Sequence, residues 1–94
     1  MLLMVAATRG RRYSMPRIRG IPGPYRFFFT SFDCGEPPHV HVEREDKTCQ
    51  FWLEPLGLVR SHGFDAHELN RIRRLLRVHL TAILETWYEH CGKR

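Results

Sequence analysis

Two histidines separated by one residue are the side chains of this sequence best suited to chemistry. His39 and His41 follow a Glu36-Pro37-Pro38 segment, whose prolines lack N–H donors and hold the backbone extended. On a β-strand, residues i and i+2 lie on the same face, about 6.5–7 Å apart. Because histidine ordinarily titrates near neutral pH, such a pair could serve in acid–base catalysis, metal binding or anion binding.

A metal site at this pair would need further ligands, because zinc in proteins takes three or four. Asp33 and Cys34 precede the two prolines, and each reaches the histidines only if the loop folds back. Glu43 comes next on the same strand face. No second ligand pair follows in the sequence, so the identity of any metal ligands stays open. The alternative is that both histidines cover an exposed sheet face and hydrogen-bond to the loop.

The segments around the histidines predict an antiparallel hairpin. One strand runs from about His39 to Arg44, Glu45-Asp46 forms the turn, and a second strand runs from about Lys47 to Leu53. Pairing of the strands places Gln50 and Trp52 on the histidine face. Trp52 could then provide a stacking surface for a nucleic-acid base or contact a protein partner. Ordinary cross-strand packing is the alternative.

The C-terminal third predicts a helix with a well-defined start. Asp65 is the expected N-cap and Glu68 completes a capping-box pattern, while Phe64 and Leu69 form a hydrophobic staple. The helix extends to about His90, either nearly unbroken or with a kink in its middle. Its apolar positions recur at steps of three and four and form one face. They are Leu69, Ile72, Leu76, Leu80, Ile83 and Trp87.

These elements predict an α+β fold. An aromatic strand from Tyr25 to Phe32 precedes the hairpin, and a short strand at Leu58-Val59 follows it. A small antiparallel sheet of three to four strands would then pack on the long C-terminal helix. Residues 1–14 show no periodicity and are expected to form a flexible N-terminal extension, which leaves residues 15–94 as a single domain.

The net charge of +5 is distributed unevenly along the chain. Residues 1–32 hold six arginines and no acidic residue, whereas residues 33–94 hold nine Lys/Arg and ten Asp/Glu. The body of the domain is therefore near neutral, and the basic charge by itself does not indicate nucleic-acid binding. The basic arm could contact phosphate groups or acidic partners, or it could be a solvated leader.

Cysteine use and hydropathy indicate a cytoplasmic protein. The three cysteines, Cys34, Cys49 and Cys91, are an odd number and include no Cys-x-x-Cys pair. We expect reduced thiols, because disulfide scaffolds of secreted domains contain more cysteines at a higher density. No apolar run approaches the roughly 20 residues needed to span a bilayer, so no membrane association is expected. The apolar start is too short for a signal peptide.

A small apolar group on the helix could mediate association with another chain. Leu75, Val78 and Ala82 fall outside the main apolar stripe, around the opposite side of the helix. They predict a contact with a partner protein or a homodimer contact. Scattered hydrophobic residues on a solvated surface are the alternative.

Several segments of the chain resemble one family. They are Met15-Pro16, the aromatic strand, Glu36 to Val42, Phe51 to Pro55, Gly63-Phe64, Glu68 to Asn70 and Trp87. Together they resemble the small bacterial family called domain of unknown function 4160, over about four-fifths of the chain. The resemblance implies a component of a two-gene cassette, in which members of this family are commonly regarded as toxin-like partners of an antitoxin. It brings no established reaction, and only His39 and His41 match its hallmark motif.

Three functions remain open from the sequence. In the first, the protein is the toxin-like component of a toxin–antitoxin pair and acts on RNA as a ribonuclease, with His39 and His41 as the catalytic pair and Arg26 and Trp52 binding substrate. In the second, it is a non-catalytic module that binds a small cognate protein through a sheet edge or through the apolar group of Leu75, Val78 and Ala82. In the third, it binds a metal through the histidine pair. No organic cofactor is expected in any of them.

Overall fold

A computed structural model describes residues 17–30 and 33–92, and within them five strands form one antiparallel sheet. Each strand pairs with its neighbour in sequence, so the sheet order follows the chain. The strands are β1 (Arg17–Ile18), β2 (Arg26–Phe28), β3 (His39–Arg44), β4 (Lys47–Leu53) and β5 (Leu56–His62). The predicted α+β fold is confirmed, and β3, β4 and their two-residue turn occupy the predicted positions.

Two strands differ in length from the sequence prediction. β2 ends at Phe28, so it is shorter than the predicted aromatic strand, whose residues 31–32 lie outside the described residues. β5 extends well beyond the predicted Leu58-Val59, because backbone pairing with β4 continues along its whole length. The expected N-terminal extension, residues 1–14, also lies outside the described residues and stays a prediction.

The C-terminal third forms two consecutive helices, α1 (Ala66–Val78) and α2 (Leu80–Cys91). The predicted cap is present: the Glu68 backbone N–H donates to Oδ1 of Asp65 at 2.8 Å. The helices meet at His79, whose backbone N–H donates to the Leu75 carbonyl while its own carbonyl accepts from Ile83, both at 3.0 Å. Hydrogen bonding thus continues through the junction, but the backbone of His79 (φ −103°, ψ 15°) departs from helical geometry and divides the predicted long helix into two.

The helices cover one face of the sheet and bury its apolar side chains. Val40 and Val42 point to this face from β3, and Phe51 and Leu53 point to it from β4. The same cluster contains the predicted helix stripe, including Ile72, Leu76, Ile83 and Trp87. The other sheet face carries the polar and aromatic side chains of the alternate positions. None of the described helices is long and apolar enough to cross a membrane.

A carboxylate fixes the start of α1 to the sheet. Oε2 of Glu68 accepts hydrogen bonds from the Tyr25 hydroxyl at 2.9 Å and from Nη1 of Arg44 at 2.6 Å, and Nζ of Lys47 lies 3.5 Å from Oε1. These partners, the Tyr25 hydroxyl first, hold the pKa of Glu68 below its ordinary value of 4.5. Burial and the bond to Glu68 raise the pKa of Tyr25. The Glu68 side chain is predicted to complete a capping box. It instead connects the start of α1 to Tyr25 and to the hairpin residues Arg44 and Lys47.

Glu68→Gln is expected to lower the melting temperature by roughly 5–10 °C at neutral pH, because it removes the charged acceptor of these bonds. A carboxylate with a lowered folded-state pKa stabilises the fold fully above its unfolded-state pKa of 4.5, and this contribution disappears as the pH falls through the folded-state value. Thermal unfolding followed by circular dichroism should therefore show the two proteins converging as the pH falls below 4.5.

Glu85→Gln is the matched control for this experiment, since Glu85 is an exposed carboxylate on α2. It should leave the melting temperature unchanged. A Glu68→Gln deficit that is equally large at acidic and neutral pH would contradict the assignment of this contribution to the charged carboxylate.

The expectation of three reduced thiols is wrong for two of the cysteines. Cys34 and Cys91 form a disulfide, with their Cα atoms 5.3 Å apart. It links the 3₁₀ turn Asp33–Gly35, which precedes the two prolines, to the last turn of α2. Cys49 is a free, buried thiol, and burial raises its pKa to about 12.

Candidate functional site

The two histidines of the Pro-Pro-His-x-His motif lie side by side at the start of β3, as their spacing predicts. Their ring centroids are 5.2 Å apart and the ring planes meet at 75°. Their surroundings differ, however, because His39 is only 1% exposed whereas His41 is partly exposed on the uncovered sheet face. The two imidazoles therefore cannot play equivalent roles toward a ligand that approaches from solvent.

His39 is held by the proline loop and by two tryptophans. Its Nδ1 lies 3.0 Å from the Pro37 carbonyl oxygen, a separation that assigns the proton to Nδ1 as the donor. The ring centroid is 5.7 Å from that of Trp52 and 5.3 Å from that of Trp87 on α2. The Pro38 carbonyl accepts from the Leu53 backbone N–H at 3.0 Å, so the loop is also anchored to β4. His39 thus packs between the loop and α2, with its ring edge-to-face against that of His41.

His41 belongs to a row of stacked groups on the uncovered face of the sheet. Its ring stacks on Phe28 of β2, with centroids 5.4 Å apart and planes 20° from parallel. The guanidinium of Arg26 lies 4.7 Å from the centroid of the same Phe28 ring. Nη1 of Arg26 also forms an ion pair with Oε1 of Glu43 at 2.7 Å. These contacts fix the orientation of the His41 ring from one side.

A shallow depression of about 260 Å³ lies beside His41. Arg60 of β5 and Gln50 of β4 line it opposite the histidine. The register between β4 and β5 shifts at Gln50 and Phe51, and this irregularity places Arg60 directly across from Gln50. The complete lining is Phe28, His41, Val42, Glu43, Thr48, Cys49, Gln50 and Arg60.

Arg60 is the candidate site residue that sequence reasoning missed. Its side chain is exposed, and it forms no ion pair with any residue in ranges 17–30 and 33–92. Arg26, predicted to bind substrate, instead has its charge balanced by Glu43 at the rim of the depression. Trp52, also predicted to bind substrate, contacts His39 but does not line the depression. Arg60 is therefore the better placed cation for a negatively charged ligand.

The predicted association patch on the helices is only partly exposed. Val78 is 77% exposed and Ala82 is exposed, but Leu75 is half-buried and packs against the core. The exposed part of the patch therefore consists of Val78 and the small side chain of Ala82. It offers much less apolar surface than the sequence pattern suggests.

One group of three potential metal ligands occurs in the part of the chain that the structure describes. It consists of Cys34, His90 and Cys91, whose ligand atoms lie within 4.8 Å of one another. Neither His39 nor His41 belongs to it. Cys34, the loop ligand considered for the histidine pair, is directed toward the end of α2 instead.

The protein is a small two-layer α+β protein. Its antiparallel strands follow one another in sequence, helices cover one face of the sheet, and the histidine pair lies at the start of β3. The chain belongs to the family described as domain of unknown function (DUF4160), whose profile matches residues 25–88. This range contains every residue that lines the depression. No significant similarity was found to any curated protein or to any solved structure.

Proposed function

We propose that this protein is the toxin-like component of a bacterial toxin–antitoxin pair and that it cleaves RNA at the uncovered face of its sheet. The observation that supports this proposal is the depression that is lined by both a partly exposed imidazole, His41, and an exposed guanidinium, Arg60. A base and a cation at one concave surface are two of the groups that metal-free RNA cleavage requires. Action in the cytoplasm, where RNA is available, is part of the proposal, and in that reducing compartment we expect Cys34 and Cys91 to be thiols.

The roles follow from the exposure of each group. His41 takes the proton from the attacking ribose 2′-hydroxyl, and Arg60 stabilises the negative charge that develops on the phosphate. The 2′-oxygen forms a bond to phosphorus, the bond to the 5′-oxygen breaks, and water protonates the departing oxygen. His39 does not contact the RNA in this scheme, because its ring is buried and its Nδ1 is bonded to the loop. It is a positioning residue for His41.

Substrate form distinguishes this reaction from general nucleic-acid binding. Purified protein is incubated with end-labelled single-stranded RNA, with the corresponding duplex and with single-stranded DNA of the same sequence. Cleavage of the single-stranded RNA with formation of 2′,3′-cyclic phosphate ends is expected, and DNA should remain intact because it lacks the nucleophile. An intact single-stranded RNA pool after prolonged incubation near neutral pH would contradict the proposed reaction.

Protein binding at the sheet edge is a second candidate function. β5 lies at the end of the sheet, so one of its sides pairs with no strand among the described residues. Leu58 on this strand is 40% exposed. An edge strand of seven residues can accept a strand from another chain. We propose that a small cognate protein, the antitoxin in the first proposal, binds here whether or not the protein is an enzyme.

Co-expression with the product of the neighbouring gene tests this interface. Leu58→Asp should abolish co-elution in size-exclusion chromatography, because it places a charge at the centre of the contact. Val78→Asp, at the strongly exposed helix position, should leave co-elution intact. The reverse pattern would move the interface to the helix patch. Elution of the wild type as a lone monomer beside the neighbouring protein would exclude the complex.

A further inference from the structure

Three metal-ligating side chains converge where the end of α2 meets the 3₁₀ turn. Cys91 and His90 are adjacent in the last turn of α2, and Cys34 reaches them from the turn that precedes Pro37 and Pro38. The two sulfurs and one ring nitrogen of His90 lie within 4.8 Å of one another. In tetrahedral coordination, zinc holds neighbouring sulfur and nitrogen ligands roughly 3.5–4 Å apart. The imidazole nitrogen therefore lies near the sulfurs at a distance close to that of a zinc site, whereas the two sulfurs, which are bonded to each other, must separate before zinc binds.

His90 packs against an aromatic ring, and one of its two ring nitrogens has no hydrogen-bond partner among the described residues. The ring stacks against Phe29, with centroids 6.1 Å apart and planes 20° from parallel. Its Nε2 is buried and has no hydrogen-bond partner among the residues that the structure describes. A buried polar nitrogen ordinarily has a partner, because desolvation without one is unfavourable. An imidazole that packs against an aromatic ring and has a buried nitrogen without a partner among the described residues suits a metal ligand.

We propose that Cys34, His90 and Cys91 bind one Zn²⁺ ion when the two cysteines are reduced, and that the disulfide is the oxidised, metal-free form of the same site. Two thiolates and an imidazole match the ligand preference of zinc. This inference does not depend on the proposed RNA cleavage. The site shares no residue with the depression beside His41.

The exchange between the two forms balances in electrons and protons. A dithiol, which becomes a disulfide, or a phosphine with water, which becomes the phosphine oxide, delivers two electrons and two protons to the disulfide; the S–S bond breaks and two thiols form. Zinc then displaces the two thiol protons as it binds both sulfurs. Oxidation by a disulfide reagent, which is itself reduced to two thiols, removes two electrons, re-forms the S–S bond and releases the metal. The bonded sulfurs separate by rotation of the cysteine side chains.

The surroundings leave room for a fourth ligand. A cleft of about 530 Å³ opens at Cys34 and Cys91 and continues past Glu36, Glu54 and Tyr88. A water molecule in this cleft can complete a tetrahedral zinc ion, as in sites that have three protein ligands. The site would then be accessible to solvent on one side, so zinc and reductants can reach it without unfolding of the domain.

Zinc binding to the full-length protein, made without a histidine tag, tests the proposal. One sample is reduced with a phosphine under nitrogen and freed of reductant, and the other is kept oxidised. Competition with a chromophoric chelator measures Zn²⁺ affinity and stoichiometry, and Co²⁺ substitution reports thiolate ligation by its near-ultraviolet charge-transfer band. We expect one Zn²⁺ per reduced chain and none at this site in the oxidised chain. The oxidised protein keeps all six histidines and so measures adventitious histidine binding.

Variants separate this site from other thiols. Cys34→Ser is expected to abolish the charge-transfer band of the two-thiolate site, and His90→Gln to weaken Zn²⁺ binding at least about tenfold. Cys49→Ser should bind like the wild type, because the Cys49 thiol is buried and its pKa is raised to about 12. Circular dichroism verifies that each variant is folded. Equal Zn²⁺ affinity of the reduced and oxidised proteins, or wild-type affinity of folded His90→Gln, would overturn the proposal.

Discussion

His41→Ala is expected to reduce the rate of RNA cleavage by about 10²–10⁴-fold while the domain stays folded. The loss is large because the side chain supplies the proton acceptor for the attacking hydroxyl. The cost in stability is small, since His41 is partly exposed on the uncovered face of the sheet, where its ring packs against Phe28 and His39. Single-turnover cleavage of a labelled oligonucleotide measures the rate, and circular dichroism verifies the fold.

His67→Ala is the matched control, because His67 is an exposed histidine on α1, away from the sheet. It should cleave RNA at the wild-type rate. Cleavage by His41→Ala at that same rate would remove His41 from the mechanism and leave the uncovered face as a binding surface.

A second substitution distinguishes the roles of the two histidines. His39→Gln retains a side-chain N–H that can donate to the Pro37 carbonyl, so it should preserve the loop and most of the activity. His39→Ala removes that donor and the ring between Trp52 and Trp87, so it should lower stability as well as activity. If His39 itself transferred a proton, His39→Gln would be as inactive as His41→Ala.

Reduction of the disulfide is expected to lower the free energy of unfolding by roughly 4 kcal/mol. The bond joins residues 57 positions apart, and such a cross-link restricts the unfolded chain far more than the folded one. Urea unfolding with and without a reductant measures the change. A chelator is present throughout, because zinc bound to the reduced cysteines would restore part of the lost stability.

Cys34→Ser is the control for the reductant itself, since this variant cannot form the bond. Its unfolding curve should be the same with and without reductant, and it should match that of the reduced wild type to within the effect of the substitution. Coincident curves for reduced and oxidised wild type would show that the cross-link does not stabilise the domain. Because a domain of this size is typically stable by only about 5–15 kcal/mol, the expected change is easily measured.

Local patterns were enough to predict the central part of the fold. Val40 and Val42 alternate with polar residues, which predicts a strand with one apolar face. The two-residue turn at Glu45-Asp46 fixes the register in which the two flanking strands pair. Asp65 predicts the helix start because the interaction that caps a helix is made within four residues. These features depend on short stretches of chain, so the sequence contains what is needed to predict them.

The features that sequence reasoning missed depend on contacts between distant segments. The pairing of Cys34 with Cys91 requires the end of α2 to dock beside the loop, and an odd cysteine count gives no sign of it. The position of Arg60 depends on a shift in the pairing register between β4 and β5. The apolar pair Leu58-Val59 in the sequence gives no sign of that shift. The i, i+2 spacing places His39 and His41 on one face, but Trp87 from a distant helix decides which of them is buried.

The strictly sequential order of the strands has a consequence during synthesis. Each hairpin can form as soon as its second strand leaves the ribosome, because pairing requires no later part of the chain. The apolar face of Val40, Val42 and Phe51 nevertheless has no cover until residues 66–91 have been made. A nascent or truncated chain that ends before the helices therefore exposes an aggregation-prone apolar sheet face to solvent. The segment that carries the histidines depends for its solubility on the segment made after it.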